Sequence, residues 1–228
     1  MNTKKIIRYT LILLGVPLVI AVGVVLFHDR QYAWISLVLV ILSCIPFFMS
    51  FERRENTTKE LVLLAALVAI SVIGRFVFSP IPHFKPVSAM VIITGMYFGA
   101  ESGFLCGALS AVVSNFIFGQ GPWTPFQMFA WGMLGLIAGL LSKPLLKNRI
   151  ILLVYGAFAG GIYSCIMDIW TTLQMDGTFN WRRYLAALIS AIPTTTTYMI
   201  SNVVFLLLLA KPIGKMLDRI KTKYGLTE

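Results

Sequence analysis

Phe51-Glu52-Arg53-Arg54-Glu55-Asn56-Thr57-Thr58-Lys59-Glu60 puts six charges into ten residues, between apolar stretches on both sides. Two such stretches precede it, at about residues 6–27 and 33–50. Six follow, at about 60–78, 86–100, 103–118, 125–142, 150–173 and 183–210. Roughly 20 apolar residues cross a bilayer as a helix, and backbone groups in hydrocarbon must be bonded within their own segment. The pattern predicts an all-α polytopic membrane protein. Residues 1–56 form a two-helix N-terminal hairpin with its charged linker, and 57–228 a six-helix core with a basic cytoplasmic tail. Thr57 or Thr58 is placed to cap the first core helix, with Glu60 favourable in its first turn.

The cations sort by side. Eight crossings that start inside leave both termini in the cytoplasm. Of the 19 lysines and arginines, 14 then fall in inner segments, and only Arg30, Arg75, Lys85, Arg182 and Arg183 fall outside. This is the positive-inside distribution. A chain that is 58% apolar and 12% charged, with mean hydropathy +0.84, has too little polar surface to dissolve. The pI near 9.7 reflects helix ends that meet anionic headgroups, not a nucleic-acid partner. The first span follows the charged Met1–Arg8 as in a signal peptide, but its length and lack of a small-residue cleavage site read as a retained anchor. Cys44, Cys106 and Cys165 lie inside apolar stretches at no ligand spacing and are read as small core residues.

Within the core, Gly99-Ala100-Glu101-Ser102-Gly103 interrupts an apolar run from Pro86 to Phe118. One helix of that length would be about 50 Å long, so two short helices joined by a tight turn are expected. Small residues four apart at Gly99/Gly103/Gly107, Gly135/Gly139 and Gly156/Gly160 allow close helix packing. Thr194–Thr197 follow Pro193 near mid-membrane, where threonine hydroxyls repair the carbonyls that a proline frees.

Polar and aromatic residues collect at the outer ends of three core hairpins. Arg75 precedes the loop Ser79–Pro86 with His83, Phe84 and Lys85; Asn115 precedes a loop with Gln120 and Trp123; Asp168 and Trp170 precede one with Trp181. Prolines and glycines there favour shaped loops. Candidate substrate-binding residues are Arg75, His83, Phe84, Asn115, Gln120, Trp123, Asp168 and Trp170. An ionisable group inside a span is a functional candidate, but Arg75 and Asp168 at similar depth would equally neutralise each other as a structural pair. The tryptophans fit an interfacial belt as well as a pocket wall. His83 also reads as a solvated loop residue.

Catalysis finds no foothold. The two histidines, His28 and His83, both lie in outer loops, far from any paired-histidine metal motif. No phosphate-binding glycine loop with its lysine is present, and no nucleophile context supports Ser-His-Asp chemistry. No metal, cofactor or enzymatic activity is expected.

The third span opens Lys59-Glu60-Leu61-Val62-Leu63-Leu64-Ala65-Ala66-Leu67-Val68-Ala69 and sets Ala65 and Ala69 on one face near the cytoplasm. With its six helices, short inner turns and binding-type outer loops, the stretch 57–215 resembles the substrate-binding S components of energy-coupling factor (ECF) vitamin transporters. It is most similar to the cobalamin-specific S components of lactic-acid bacteria. The resemblance implies a non-enzymatic subunit in a bacterial cell membrane that captures a vitamin at an extracellular-side pocket. It further implies docking through the AxxxA face, Ala65 and Ala69, to a transmembrane T component powered by two ATPase subunits. The N-terminal hairpin departs from the family's six-helix plan. Glycines, prolines and aromatics in the outer loops suit a large flat ligand with a polar rim, and nothing in them separates a corrinoid from another vitamin or micronutrient. A self-sufficient secondary transporter remains the alternative, although the internal repeats expected of one are not evident.

Overall fold

The computed structural model describes residues 57–176 and 179–225, together with Thr10 and Leu18. The expected N-terminal hairpin and its charged linker, like Cys44, lie outside the described residues. All regular structure among the described residues is helical: α1 (Thr57–Val77), α2 (Val87–Phe98), α3 (Ala100–Phe118), α4 (Thr124–Leu140), α5 (Ser142–Lys147), α6 (Arg149–Asp176), α7 (Trp181–Ser190) and α8 (Ile192–Tyr224). Four of them, α1, α3, α6 and α8, are long and apolar enough to cross a membrane. The chain is thus an all-α polytopic membrane protein.

The two shorter apolar helices owe their place to burial. In α2, ten consecutive residues from Val87 to Met96 are buried. A helix that is apolar all round belongs inside a bundle, and α2 is packed by α1, α3, α4 and α8. Its turn into α3 is tighter than the sequence implies. Gly99 alone makes it, at φ +89°, a conformation that an L side chain rarely adopts. Gly99 is therefore a turn residue and not part of a packing stripe; a side chain there would meet nothing.

The other small residues do pack. A methyl group on Gly95 or Gly103 would run into the carbonyl of Gly135, one on Gly107 into the backbone of Trp131, and one on Gly139 into Ala100. These contacts bring α2, α3 and α4 to backbone distance, with small residues at the seam in place of the large side chains of soluble bundles. Gly156 and Gly160 play the same part between α6 and α8, where the backbone of Met199 would lie 2.6 Å from a Gly160 methyl. Cys106 is fully buried, whereas Cys165 faces outward and is no core residue.

The last expected span, 183–210, is two helices. Asn180 Oδ1 caps α7 by accepting from the backbone nitrogens of Arg182 (2.9 Å) and Arg183 (3.3 Å). The chain then bends at Ala191, and Pro193 falls in the first turn of α8, where its missing N–H costs little. Thr196 and Thr197 bond the carbonyls of Ile192 and Pro193 at 2.8 and 2.9 Å. The carbonyl four residues before Pro193 is instead that of Ile189, which accepts from Ala191 N, so these threonines do not make the expected repair of a carbonyl freed by the proline.

The basic tail is helical as well. α8 runs 33 residues, about 50 Å. Beyond residue 210 it lies across one end of the bundle. Arg149, first in α6, bonds the carbonyl of Leu207 at 3.2 Å. Gly214 sits against Tyr97, near the end of α2, and Lys221 Nζ bonds the Tyr97 carbonyl. Lys59, at the start of α1, reaches the Tyr224 carbonyl at 3.5 Å.

Candidate functional site

The opposite end of the bundle holds a cavity of about 240 Å³, lined by residues that include Arg75, Lys85, Gln127, Trp131, Tyr163, Tyr198 and Asn202. Its walls come from the end of α1, the loop 78–86, the starts of α2 and α4, mid-α6 and the upper part of α8.

Arg75 organises the polar wall. Its Nη1 donates to Ser114 Oγ and, at 2.8 Å, to Asn115 Oδ1. Its guanidinium also lies 4.6 Å from the Phe118 ring centroid and 5.2 Å from that of Trp131, which spreads the charge over two aromatic faces. Asn115 is 1% exposed and passes the network on. Its Nδ2 donates to Thr124 Oγ1 at 3.0 Å and Gln127 Oε1 at 2.9 Å, and Gln127 Nε2 donates to the Tyr163 hydroxyl at 3.1 Å. An intramembrane cation held this way has traded part of its water for fixed acceptors on Nη1 and aromatic faces.

Aromatic rings make the second wall. Trp131 stacks on Tyr163 with centroids 5.3 Å apart at 17°, and Tyr163 meets Tyr198 edge-on at 5.0 Å. The loop 78–86 closes over them. Lys85 Nζ donates to three carbonyls of its own loop, those of Phe78 (2.6 Å), Ser79 (3.1 Å) and Ile81 (2.7 Å). Burial, and then the nearby Arg75, hold its pKa below the ordinary lysine value. The Ser201 hydroxyl on α8 accepts from Lys85 N and donates to Lys85 O, both at 3.0 Å. His83, in a left-handed conformation at φ 59°, sets Nδ1 3.1 Å from the Tyr198 hydroxyl.

Of the residues expected here, Arg75 and His83 line the cavity. Asn115 lies one bond behind its wall, and Gln120 one further, on Thr124 Oγ1 at 3.0 Å. Phe84 packs on Phe205 at 5.0 Å. Trp123 and Trp170 join a separate apolar cluster around Phe126. Asp168 does not pair with Arg75: its Oδ2 is buried without a hydrogen-bond partner. Removing Arg75 would instead leave Asn115 Oδ1 without its donor. Trp131, Tyr163, Tyr198, Gln127 and Asn202 were not anticipated. The two amides carried a usable signal, because an amide inside an apolar span asks for a partner.

Ala65 and Ala69 are exposed on α1 beside Leu61, Val62, Ile70 and Ile73, on the face turned away from the bundle. The family model described as "ECF-type riboflavin transporter, S component" matches residues 55–219. The chain belongs to this S-component family. The match covers all six spans of the expected core. This S component is also similar to a UPF0397 protein of Lactobacillus helveticus (strain DPC 4571), with 35% identity over 106 residues, 43% of this chain and 56% of that relative. The chain therefore spans little more than half the length of that curated relative. No solved structure matches it.

Proposed function

We propose that this S component is the substrate-capture subunit of an ECF-type importer, and that it binds a flat, ring-bearing vitamin in the cavity above Tyr163. The observation that carries the reading is the cavity itself: a half-buried cation, a stacked Trp131–Tyr163 pair and a pinned loop converge at one end of the bundle. Pockets of this kind combine apolar walls with a few placed polar groups. The end marked by Lys143, Lys147, Arg149 and the α8 extension faces the cytoplasm by the positive-inside rule, so the cavity faces outward. Ala65 and Ala69 form the docking face for a T component, and two ATPase subunits supply the energy.

The family description makes riboflavin the first substrate to test. The cavity, about 240 Å³ against the roughly 300–1,000 Å³ of drug-sized pockets, is nearer in scale to a flat ring system than to a whole corrinoid. Cobalamin, expected from overall likeness, is the second substrate, and its entry requires the loop 78–86 to swing away. The bend at Ala191 is the feature that a self-sufficient transporter would share, since such proteins use interrupted helices. Here, however, the break is a single residue between two helices, and Ala191 N and Thr195 N continue the helical bonding across it to the carbonyls of Ala187 and Ala191.

The purified chain is tested against riboflavin, cobalamin and other vitamins in detergent, then in proteoliposomes with and without T component and ATPases. Binding without transport by the chain alone is expected. Uptake by the chain alone would overturn the reading in favour of a secondary transporter, and failure to bind any vitamin would remove the capture role.

A further inference from the structure

Arg75 fixes the direction of every hydrogen bond between itself and the cavity. A guanidinium only donates, so the Asn115 atom 2.8 Å from Nη1 is the carbonyl oxygen. The Asn115 nitrogen then donates to Gln127 Oε1, and Gln127 is left with Nε2 toward the Tyr163 hydroxyl. Amide orientations are commonly ambiguous; here a charge at one end sets them. The Tyr163 oxygen accepts this bond, so its hydrogen is free to turn elsewhere. Tyr163 lines the cavity, and among the described residues no group accepts that hydrogen.

Two other wall groups are equally constrained. The three Lys85 ammonium hydrogens are matched by three loop carbonyls, so Lys85 offers charge but no donor. Asn202 gives one Nδ2 hydrogen to the Gly156 carbonyl at 3.0 Å and keeps Oδ1 as an acceptor beside its second N–H.

We infer that the Arg75–Asn115–Gln127–Tyr163 chain turns the Tyr163 hydroxyl hydrogen toward the substrate. The ligand class is then a planar ring compound that carries hydrogen-bond acceptors beside a donor. Its carbonyl oxygens or ring nitrogens meet Tyr163 and Arg75, and its N–H or O–H meets Asn202. Gln127 is the positioning residue that sets the sense of the chain. The inference rests on the capture reading above.

The test uses the full chain in detergent, with tyrosine carrying carbon-13 at the phenolic carbon. The Tyr163 C–O stretch is isolated as the infrared difference between wild type and Tyr163→Phe, and by comparison with Gln127→Met. Without ligand, Tyr163 is expected to carry the signature of a hydroxyl that accepts a hydrogen bond, and Gln127→Met to lose that component. Added riboflavin shifts the band as the hydroxyl donates to it, and Tyr163→Phe weakens riboflavin about tenfold, the worth of one net hydrogen bond. Cobalamin is run in parallel. A ligand-free band that Gln127→Met leaves unchanged, or Tyr163→Phe binding within about twofold of wild type, overturns the inference. If wild type binds neither vitamin, the capture reading and the ligand class fall together, while the ligand-free spectrum still decides the direction of the chain.

Discussion

Gly135→Ala adds one methyl group at the tightest seam of the bundle. That methyl would touch the Gly103 carbonyl and lie 2.8 Å from Val91 Cγ1. Carbon atoms rest about 3.5–4.0 Å apart, so α4 must move by roughly 1 Å. A backbone carbonyl cannot rotate away as a side chain does. Overpacking of this kind costs about 1–3 kcal/mol, and a chain of this size loses about 2–4 °C of melting temperature per kcal/mol. The expected fall is therefore roughly 2–12 °C. Gly161→Ala is the matched control. Nothing lies within 4 Å of its added methyl, and alanine is the better helix former by up to about 1 kcal/mol, so its effect is neutral or stabilising. Thermal unfolding in one detergent, followed by tryptophan fluorescence, reads both. The reasoning fails if Gly135→Ala melts at or above wild type, or if Gly161→Ala loses as much. Because α3 carries Asn115 and α4 carries Gln127, the same displacement should weaken vitamin binding, and only in Gly135→Ala.

Asn115→Ala leaves Arg75 and Gln127 each short of a partner; at about 1–3 kcal/mol for such a loss, vitamin affinity should fall by roughly 5–150-fold, measured by equilibrium binding. Trp123→Ala should lower the melting temperature yet leave affinity within about twofold, since Trp123 packs in the Phe126–Trp170 cluster and not on the cavity. Ala65→Phe or Ala69→Phe should abolish uptake in proteoliposomes containing the whole importer while the isolated subunit still binds; normal uptake by both would move the docking face elsewhere. Lys85→Met removes the ammonium that gathers three loop carbonyls, and stopped-flow mixing should show faster vitamin release.

The sequence resolved levels better than directions. Charges and hydropathy located α1 to within a few residues and put Arg75, Asn115, Gln120, Trp123, Asp168 and Trp170 at one end of the bundle. Depth says nothing of azimuth, however, and the structure divides these residues between a cavity wall, its supports and a separate apolar cluster. Arg75 stood out because a cation among apolar residues needs acceptors. Trp131, Tyr163 and Tyr198 did not, because aromatics within a span look the same whether they face lipid, core or cavity. The bend at Ala191 was equally silent: Pro193 suits the first turn of a new helix as well as a kink inside a long one. Gly99 and Gly103 share a spacing, yet only the backbone angles tell a turn from a seam.

Tyr198 and Asn202 stand on the cavity wall, and some twenty residues further along the same helix Lys221 clasps the Tyr97 carbonyl. Pro212, the sole proline in the interior of this helix, falls between the two places and removes one rung of its hydrogen-bond ladder. One helix thus joins the basic face of the bundle to the chamber at its other end, with its weakest point in between.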